Sequence, residues 1–360
     1  MKAVVLEENQ KLRLIDRPKP QPKAGECLIR IRAAGVCSSD IYRGFENGAY
    51  HYPLVMGHEL AGEIVEVGAD WNHSKAQVGS SVVVFPLLPC KTCDQCLQKE
   101  YARCRKYDYF GSRRDGGFSE YLTVPAWNVL PLPEGLKFHQ ASLVEPISVV
   151  VHALKKTLPE KPPQKICILG AGFLGLVATE LLVSKYAPSA EVTLIDRNDY
   201  KLEKITNAKV NKVLLRDPKE KEEFLKSHLA TFDFVLEAVG VPETFQNSID
   251  LCAPGGTVVW MGNISGNLEL SQKQVSSILR KELTLRGTWN SSYDPEQKSD
   301  WSETLELLAK DIDVEPFITQ KIEMADLPSV IEKLHQHKTR KQEFTSIKVV
   351  MTSEDASDKD

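Results

Sequence analysis

The 360-residue chain lacks any apolar run near the ~20 residues that a membrane-spanning helix requires, so we expect no transmembrane segment. Its opening stretch, MKAVVLEENQKLRL, has an apolar run too short for the core of a signal peptide. Internal repeats and low-complexity segments are also missing. We therefore expect a globular cytoplasmic protein, with enough residues for two domains.

A strong excess of charge is missing as well. The formal net charge is −4, and 26% of the residues are charged against 42% hydrophobic. Such a chain has no general attraction to nucleic acid or to an anionic membrane, so we expect a small-molecule partner. Because cytoplasmic thiols stay reduced, closely spaced cysteines are more often metal ligands than disulfides.

The chain changes character near residue 150. Short β-branched runs broken by glycine and proline fill residues 1–150 and indicate a mostly β domain. Residues 151–290 alternate six apolar strands with helical segments, which predicts an α/β domain with a doubly wound parallel sheet. Residues 291–351 add two helices and a strand that we assign to the first domain. The acidic tail, 352–360, is expected to be disordered.

The segment LGAGFLG carries a Gly-x-Gly-x-x-Gly motif directly after a strand and at the start of a helix. The glycines allow a tight turn and close approach of a pyrophosphate, which the helix N-terminus then holds. A glycine-rich turn without a ligand has the same local pattern, but the complete strand–helix–strand unit favours a dinucleotide site. The candidate residues are Gly170, Gly172, Phe173, Leu174 and Gly175.

Asp196 ends the next strand and indicates which dinucleotide binds. An acid at this position hydrogen-bonds the ribose hydroxyls of NAD and repels the 2′-phosphate of NADP. Arg197 follows directly and weakens this preference, because a basic residue can pair with that phosphate. We expect the cofactor to be NAD.

Four scattered residues have side chains of the kind that bind catalytic zinc: Cys37, His58, Glu59 and Glu145. Each is weak evidence by itself, because a lone cysteine usually belongs to a core and a lone glutamate to a surface. A dinucleotide site makes the set coherent, since oxidising an alcohol requires loss of the hydroxyl proton. Zinc lowers the pKa of a bound oxygen from ~16 to ~7, and a catalytic zinc uses three protein ligands.

Half of the eight cysteines lie in the segment CKTCDQCLQKEYARC. This spacing is typical of zinc held by four thiolates, a closed shell that cannot activate a substrate. An iron–sulfur cluster is a weaker alternative, because its fourth cysteine usually lies closer in sequence. The remaining Cys27, Cys167 and Cys252 are expected to be buried thiols. The predicted structural zinc site comprises Cys90, Cys93, Cys96 and Cys104.

The order GVC-x-S-D, GHE-x-x-G-x5-G, four cysteines, E-P and Gly-x-Gly-x-x-Gly resembles the zinc-dependent medium-chain dehydrogenases over nearly the whole chain. The resemblance implies a GroES-like catalytic domain, a Rossmann domain that binds NAD, and two zinc ions per chain. It implies that Cys37 and His58 bind the catalytic zinc, with either Glu59 or Glu145 completing the shell.

The same resemblance implies roles for two neighbouring residues. Asp40 would hold the imidazole of His58 in one tautomer, and Ser39 would begin a proton relay. Members of this family usually associate through the nucleotide-binding domain, which implies a homodimer or homotetramer.

Within the family, HYPLVMGHE and KYDYFGSRRDGGFSEY are similar to dehydrogenases of polyols and polyol phosphates. Arg113 and Arg114 are candidates for a substrate phosphate, because the guanidinium fork suits bidentate phosphate binding. The alternative is a surface pair in ion pairs or subunit contacts, and Lys281 is a weaker candidate. We expect oxidation of a secondary alcohol of a polyol phosphate to the ketose phosphate. Free polyols and L-threonine are the alternative substrates, and a non-catalytic NAD-binding protein is disfavoured.

Overall fold

The computed structural model describes residues 1–340 and 345–353. The chain forms two compact units: a first unit of Met1–Ser148 with Ser292–Asp360, and a second unit of Val149–Ser291. The boundaries expected after residues 150 and 290 lie within two residues of these. No helix in the described ranges is long and apolar enough to cross a membrane.

The strands and helices are as follows. The strands are β1 (Lys2–Glu8), β2 (Lys11–Asp16), β3 (Glu26–Gly35), β4 (Leu54–Val55), β5 (Glu59–Val67), β6 (Ser81–Val84), β7 (Leu87–Leu88), β8 (Asp108–Tyr109), β9 (Tyr121–Pro125), β10 (Val129–Pro131), β11 (Lys165–Leu169), β12 (Glu191–Asp196), β13 (Val210–Leu214), β14 (Phe232–Glu237), β15 (Cys252–Trp260), β16 (Thr284–Gly287), β17 (Ile318–Ile322) and β18 (Lys348–Thr352). The helices are α1 (Ser38–Tyr42), α2 (Asp94–Leu97), α3 (Phe138–Ala141), α4 (Val144–Thr157), α5 (Phe173–Leu181), α6 (Asp199–Leu202), α7 (Pro218–Ser227), α8 (Pro242–Leu251), α9 (Gln272–Arg280), α10 (Asp300–Lys310) and α11 (Leu327–Arg340).

The second unit contains a parallel sheet in the order β13-β12-β11-β14-β15-β16. In chain order this is 3-2-1-4-5-6, which confirms the prediction of a doubly wound sheet. Its central strands are apolar and buried, because helices follow them along the chain and cover the faces of such a sheet. The strand order reverses between β11 and β14, where folds of this type bind their ligands.

The first unit is mostly β, as the sequence predicts. Its largest sheet runs β10-β6-β5-β3-β18-β17, and β9 also pairs with β3. A smaller sheet has the order β2-β1-β4. Apolar residues of these strands and of α11 form one core, including Ile31, Ile64, Leu334 and Met351. Strands β5, β3 and β18 lie side by side, so residues far apart in the sequence meet at their ends.

Several elements differ from the sequence-based expectations. The helical segment expected after β12 is limited to α6, because Ile205 N–H bonds to Leu202 O at 3.2 Å and tightens the chain into a turn. Helix α9 was not predicted. Strand β18 continues through Thr352, and Ser353 N–H donates to Arg32 O at 3.0 Å, so both lie in the first unit rather than in the expected tail. The rest of that tail, 354–360, lies outside the described residues.

Candidate functional site

Three of the four predicted catalytic-zinc ligands converge in the first unit. Cys37 precedes α1 as its N-cap residue, His58 lies just before β5, and Glu59 is the first residue of β5. One ligand atom from each side chain lies within 4.8 Å of the other two. His58 and Glu59 are buried, and Cys37 is half-buried. A thiol, an imidazole and a carboxylate at this separation form a donor set that suits zinc.

Asp40 contacts two members of this cluster, Cys37 and His58. Its Oδ2 accepts a hydrogen bond from Cys37 N–H at 3.0 Å, and its Oδ1 lies 3.5 Å from His58 Nδ1. Burial opposes the charged carboxylate, but the neighbouring His58 and Arg43 lower the pKa of Asp40. Although burial favours a neutral imidazole, the charges of Asp40 and Cys37 raise the pKa of His58. The contact at Nδ1 leaves Nε2 as the ring nitrogen available to a metal ion.

Glu59 is held by a residue that the sequence did not single out. Lys348, on β18, donates from Nζ to Glu59 Oε1 at 2.6 Å, and both side chains are buried. Gly35 pairs with Glu59 across β3 and β5, and a Cβ at Gly35 would lie 2.0 Å from Glu59 Oε2. The missing side chain of Gly35 therefore makes room for the carboxylate. The lysine offsets the negative charge that this buried cluster accumulates.

Glu145, the fourth candidate ligand, lies in the first turn of α4 and outside the three-residue cluster. Its Oε1 accepts a hydrogen bond from the Tyr109 hydroxyl at 3.0 Å. Burial and the charge of Glu59 raise the pKa of Glu145. The Tyr109 ring also contacts the edge of the His58 ring, with centroids 5.8 Å apart. Glu145 is thus connected to the cluster through Tyr109.

Ser39, the predicted start of a proton relay, is half-buried on α1. Its backbone N–H points at Cys37 Sγ, 3.5 Å away. Ser39 therefore lies beside the cluster, and its role in a proton relay stays a prediction.

The four clustered cysteines also converge, around α2. One sulfur from each lies within 4.8 Å of the others, and the Cys90 and Cys96 sulfurs are 3.9 Å apart. The edges of a tetrahedron with zinc–sulfur bonds of ~2.3 Å are about 3.8 Å long, so this spacing fits zinc. A hydrogen bond from Thr92 lowers the pKa of Cys90 to about 5, which favours the thiolate that binds metal.

The other cysteines have the predicted environment. Cys27, Cys167 and Cys252 are each fully buried and unpaired. Burial raises the pKa of Cys27 and of Cys252 to about 12. These thiols are therefore core residues rather than reactive groups.

The glycine motif of the second unit has the geometry that a dinucleotide requires. Gly170 has φ +102°, a left-handed conformation that glycine adopts without strain. A Cβ at Gly172 would meet nothing within 4 Å, so the backbone there is open to a ligand. A Cβ at Gly175 would clash with Gly170 O, because helix α5 packs tightly on strand β11. Phe173 and Leu174 form the first turn of α5.

Asp196 lies at the end of β12, beside this turn. Its Oδ2 accepts a hydrogen bond from Ala171 N–H at 2.6 Å, and its Oδ1 accepts one from Asn198 N–H at 2.9 Å. The carboxylate therefore ties the glycine-rich turn to the next strand and retains lone pairs for ribose hydroxyls. Arg197 is exposed next to it.

The structure separates the three phosphate candidates. Arg114 Nε pairs with Asp108 at 2.9 Å. Lys281 donates to three backbone carbonyls, those of Ile249, Asp250 and Cys252. Arg113 instead stacks on the rings of two tyrosines. Lys281 therefore supports the C-terminal end of α8, whereas the guanidinium of Arg113 has no acidic partner in the described part of the chain.

Sequence reasoning missed Lys348 and Tyr109. Lys348 lies in the predicted strand TSIKVVM, where a lysine is ordinarily exposed. Tyr109 lies in KYDYFGS, part of a segment that resembles the polyol dehydrogenases and that indicated no role for the tyrosine. A signal existed in both cases, since one charged residue interrupts a β-branched run and several tyrosines cluster beside the cysteines.

Comparison with known proteins identifies the family of this chain. Residues 23–134 match the model of the alcohol dehydrogenase GroES-like domain, and residues 174–310 match that of the zinc-binding dehydrogenases. The chain belongs to the zinc-dependent medium-chain dehydrogenase family, as the sequence motifs indicated.

Three relatives illustrate the range within that family. The chain is 34% identical to galactitol 1-phosphate 5-dehydrogenase of Escherichia coli, over 89% of this chain and 92% of that protein. A crystal structure of that enzyme covers 98% of this chain and 100% of its own, with a TM-score of 0.85. L-galactonate-5-dehydrogenase of Escherichia coli is 31% identical over 92% and 95% of the two chains. The structure of an Escherichia coli alcohol dehydrogenase complexed with NADH is 26% identical to this chain and has a TM-score of 0.85. The match covers 98% of this chain and 99% of that one.

Proposed function

We propose that this protein is a zinc- and NAD-dependent dehydrogenase that oxidises a secondary alcohol of a polyol phosphate similar to galactitol 1-phosphate. The product is the corresponding ketose phosphate. The convergence of Cys37, His58 and Glu59 carries this proposal. A protein that used the fold only to sense NAD would have no need of a thiol, an imidazole and a carboxylate in one buried cluster.

Each residue of the proposed site has a separate role. Cys37, His58 and Glu59 hold the catalytic zinc, and Glu145 stands as the alternative carboxylate. A zinc ion there supplies Lewis acidity that lowers the pKa of an alcohol hydroxyl. Asp40 orients His58, and Ser39 accepts the hydroxyl proton and passes it toward solvent.

A second zinc ion is proposed at Cys90, Cys93, Cys96 and Cys104. Four thiolates complete a tetrahedral shell, so this ion is structural. The segment between these cysteines has few apolar residues to stabilise it. A reducing cytoplasm, where we place the protein, keeps the thiols available for the metal.

We expect Asp196→Ala to raise the KM for NAD by about 10- to 100-fold, because charge-assisted hydrogen bonds to the ribose are lost. The KM for NADP should change less, since repulsion of its 2′-phosphate is relieved at the same time. Steady-state kinetics with both cofactors measures this. The control is Asp199→Ala, an exposed acid three residues further on. An unchanged KM for NAD in Asp196→Ala would contradict the assigned role.

The substrate class is supported by two relatives whose chains are more than 30% identical to this one. Both names describe oxidation at carbon 5 of an open-chain sugar derivative, one with a phosphate and one with a carboxylate at carbon 1. Dehydrogenases of free polyols and of L-threonine remain the alternatives. A half-buried cation in the first unit, Arg113, favours a substrate with an anionic end.

The experiment for this proposal compares kcat/KM of the purified enzyme for galactitol 1-phosphate, sorbitol and L-threonine, with NAD in each case. We expect galactitol 1-phosphate to be preferred by at least about 100-fold, the effect of two to three kcal/mol of binding to the phosphate. Greater efficiency on sorbitol or on L-threonine would overturn the proposed substrate.

We also propose that the protein forms a homodimer or homotetramer through its nucleotide-binding unit. Strand β16 is the last strand of the parallel sheet, with β15 as its one neighbour in the described residues. Leu279 and Trp289, on either side of it, are 72% and 60% exposed. An unpaired edge strand flanked by exposed apolar side chains favours association with a second copy.

A further inference from the structure

Arg113 has an unusual environment for a surface arginine. Its guanidinium carbon lies 4.3 Å from the centre of the Tyr50 ring and 4.5 Å from that of Tyr107. Nη2 donates a long hydrogen bond of 3.4 Å to the Tyr50 hydroxyl. Stacking on aromatic faces strips water from the faces of the guanidinium and leaves the N–H groups at its edge to bind a ligand.

The backbone around Arg113 is fixed. Its N–H donates to Tyr109 O at 2.9 Å, and its carbonyl oxygen makes a hydrogen bond with His51 Nε2 at 3.1 Å. The neighbouring Gly111 N–H donates to Arg114 O at 2.8 Å. The cation is therefore presented from an ordered loop, so a ligand would not have to order it.

The charge of Arg113 is uncompensated. No carboxylate of the described residues lies within 4.0 Å of its guanidinium, whereas the adjacent Arg114 pairs with Asp108. A cation held in place without an acidic partner is matched to an anion that arrives from solution. The two adjacent arginines thus differ in their side-chain contacts, although they are indistinguishable in the sequence.

A short series of aromatic contacts connects Arg113 to the metal cluster. The Tyr107 and Tyr109 ring centres are 6.2 Å apart, and those of Tyr109 and His58 are 5.8 Å apart. Arg113 is therefore three contacts from a proposed zinc ligand, within the first unit. A substrate with its alcohol at the metal and an anion at its far end would be anchored at both points.

We infer that Arg113, supported by Tyr50 and Tyr107, binds the terminal phosphate of the substrate. This inference rests on the proposed function and adds the group that selects the phosphorylated substrate. Arg114 and Lys281 are not part of this subsite, because their charges are already engaged. The phosphate fixes which carbon of the polyol reaches the metal, so the subsite also selects the position that is oxidised.

The test measures kcat and KM of the NAD-dependent enzyme for galactitol 1-phosphate and for galactitol. Arg113→Gln should raise the KM for galactitol 1-phosphate by about 10- to 100-fold, because a charge-assisted pair is lost. Its kcat/KM for galactitol should stay within about threefold of the wild type. For Arg113→Lys, the KM for galactitol 1-phosphate should lie between those of the wild type and Arg113→Gln, because a point charge replaces the planar guanidinium. Arg114→Gln is the matched control. Its kcat/KM should stay within about threefold of the wild type for both substrates.

Inorganic phosphate provides a second readout. It should inhibit the wild type competitively against galactitol 1-phosphate, and this inhibition should weaken in Arg113→Gln but not in Arg114→Gln. If the wild type prefers galactitol 1-phosphate and Arg113→Gln retains that preference, the subsite is wrong and the proposed function stands. Equal losses on both substrates in Arg113→Gln and Arg113→Lys would show a structural role and overturn the inference. A wild type with no preference for the phosphate would overturn the proposed substrate together with the subsite.

Discussion

His58→Ala is expected to lower kcat by at least about 10³-fold and to remove one of the two proposed zinc ions from each chain. The histidine supplies one of three protein ligands, and its loss leaves the thiol of Cys37 and a carboxylate already paired with Lys348. Losing the Lewis acid forfeits several kcal/mol of barrier lowering, and each 1.36 kcal/mol is a factor of ten. Elemental analysis of the variant beside steady-state kinetics measures both effects.

A matched control separates this result from general damage. His73 lies in the same unit and outside the cluster, where its ring stacks on Trp71 and its Nε2 donates to Val129 O. His73→Ala should keep its zinc and its kcat. A His58→Ala protein that retained both zinc ions and near-normal turnover would refute the placement of the catalytic metal.

Cys93→Ser is expected to remove the other zinc ion and to lower Tm by on the order of 10 °C. Losing one thiolate from a closed four-sulfur shell destabilises by several kcal/mol, and a unit of this size loses roughly 2–4 °C per kcal/mol. The effect falls on stability first, because no residue of the proposed catalytic cluster belongs to this shell. Calorimetry and metal content of the purified variant test it.

The control for this variant is Cys167→Ala. Cys167 is fully buried in β11, so it matches Cys93 in residue type and tests the loss of a thiol without a metal. It should keep both zinc ions. If Cys93→Ser also kept both, the four cysteines would not form the structural site.

Local patterns were sufficient for much of the second unit. Most strands there are apolar runs followed by a helical segment, and the glycine motif marks the first crossover. Helix α9 was missed although Val275, Ile278 and Leu279 of QKQVSSILR have the i, i+3, i+4 spacing of one helical face. Its capping box was also readable: Ser271 accepts a bond from Gln274 N–H, and Gln274 reaches back to Ser271 N–H.

The metal cluster was predictable only in part. Cys37 and His58 stand in motifs that resemble a family, but no local pattern indicates that Glu59 rather than Glu145 lies beside them. Lys348 approaches Glu59 across 289 residues of sequence, a separation over which no local pattern carries information. Arg113 and Arg114 have the same chemistry, and only the conformation of their loop gives one an acid and the other two aromatic rings.

The position of β18 affects the order in which the protein can fold during its synthesis on the ribosome. Strand β3 and Glu59 are synthesised before the whole second unit, whereas β18 and its Lys348 are synthesised after it. The second unit can complete its sheet from contiguous chain. Until β18 is made, β3 lacks one of its neighbouring strands and Glu59 lacks its lysine partner. We therefore expect the second unit to fold early during synthesis, and the first unit to complete its largest sheet only after β18 has been made.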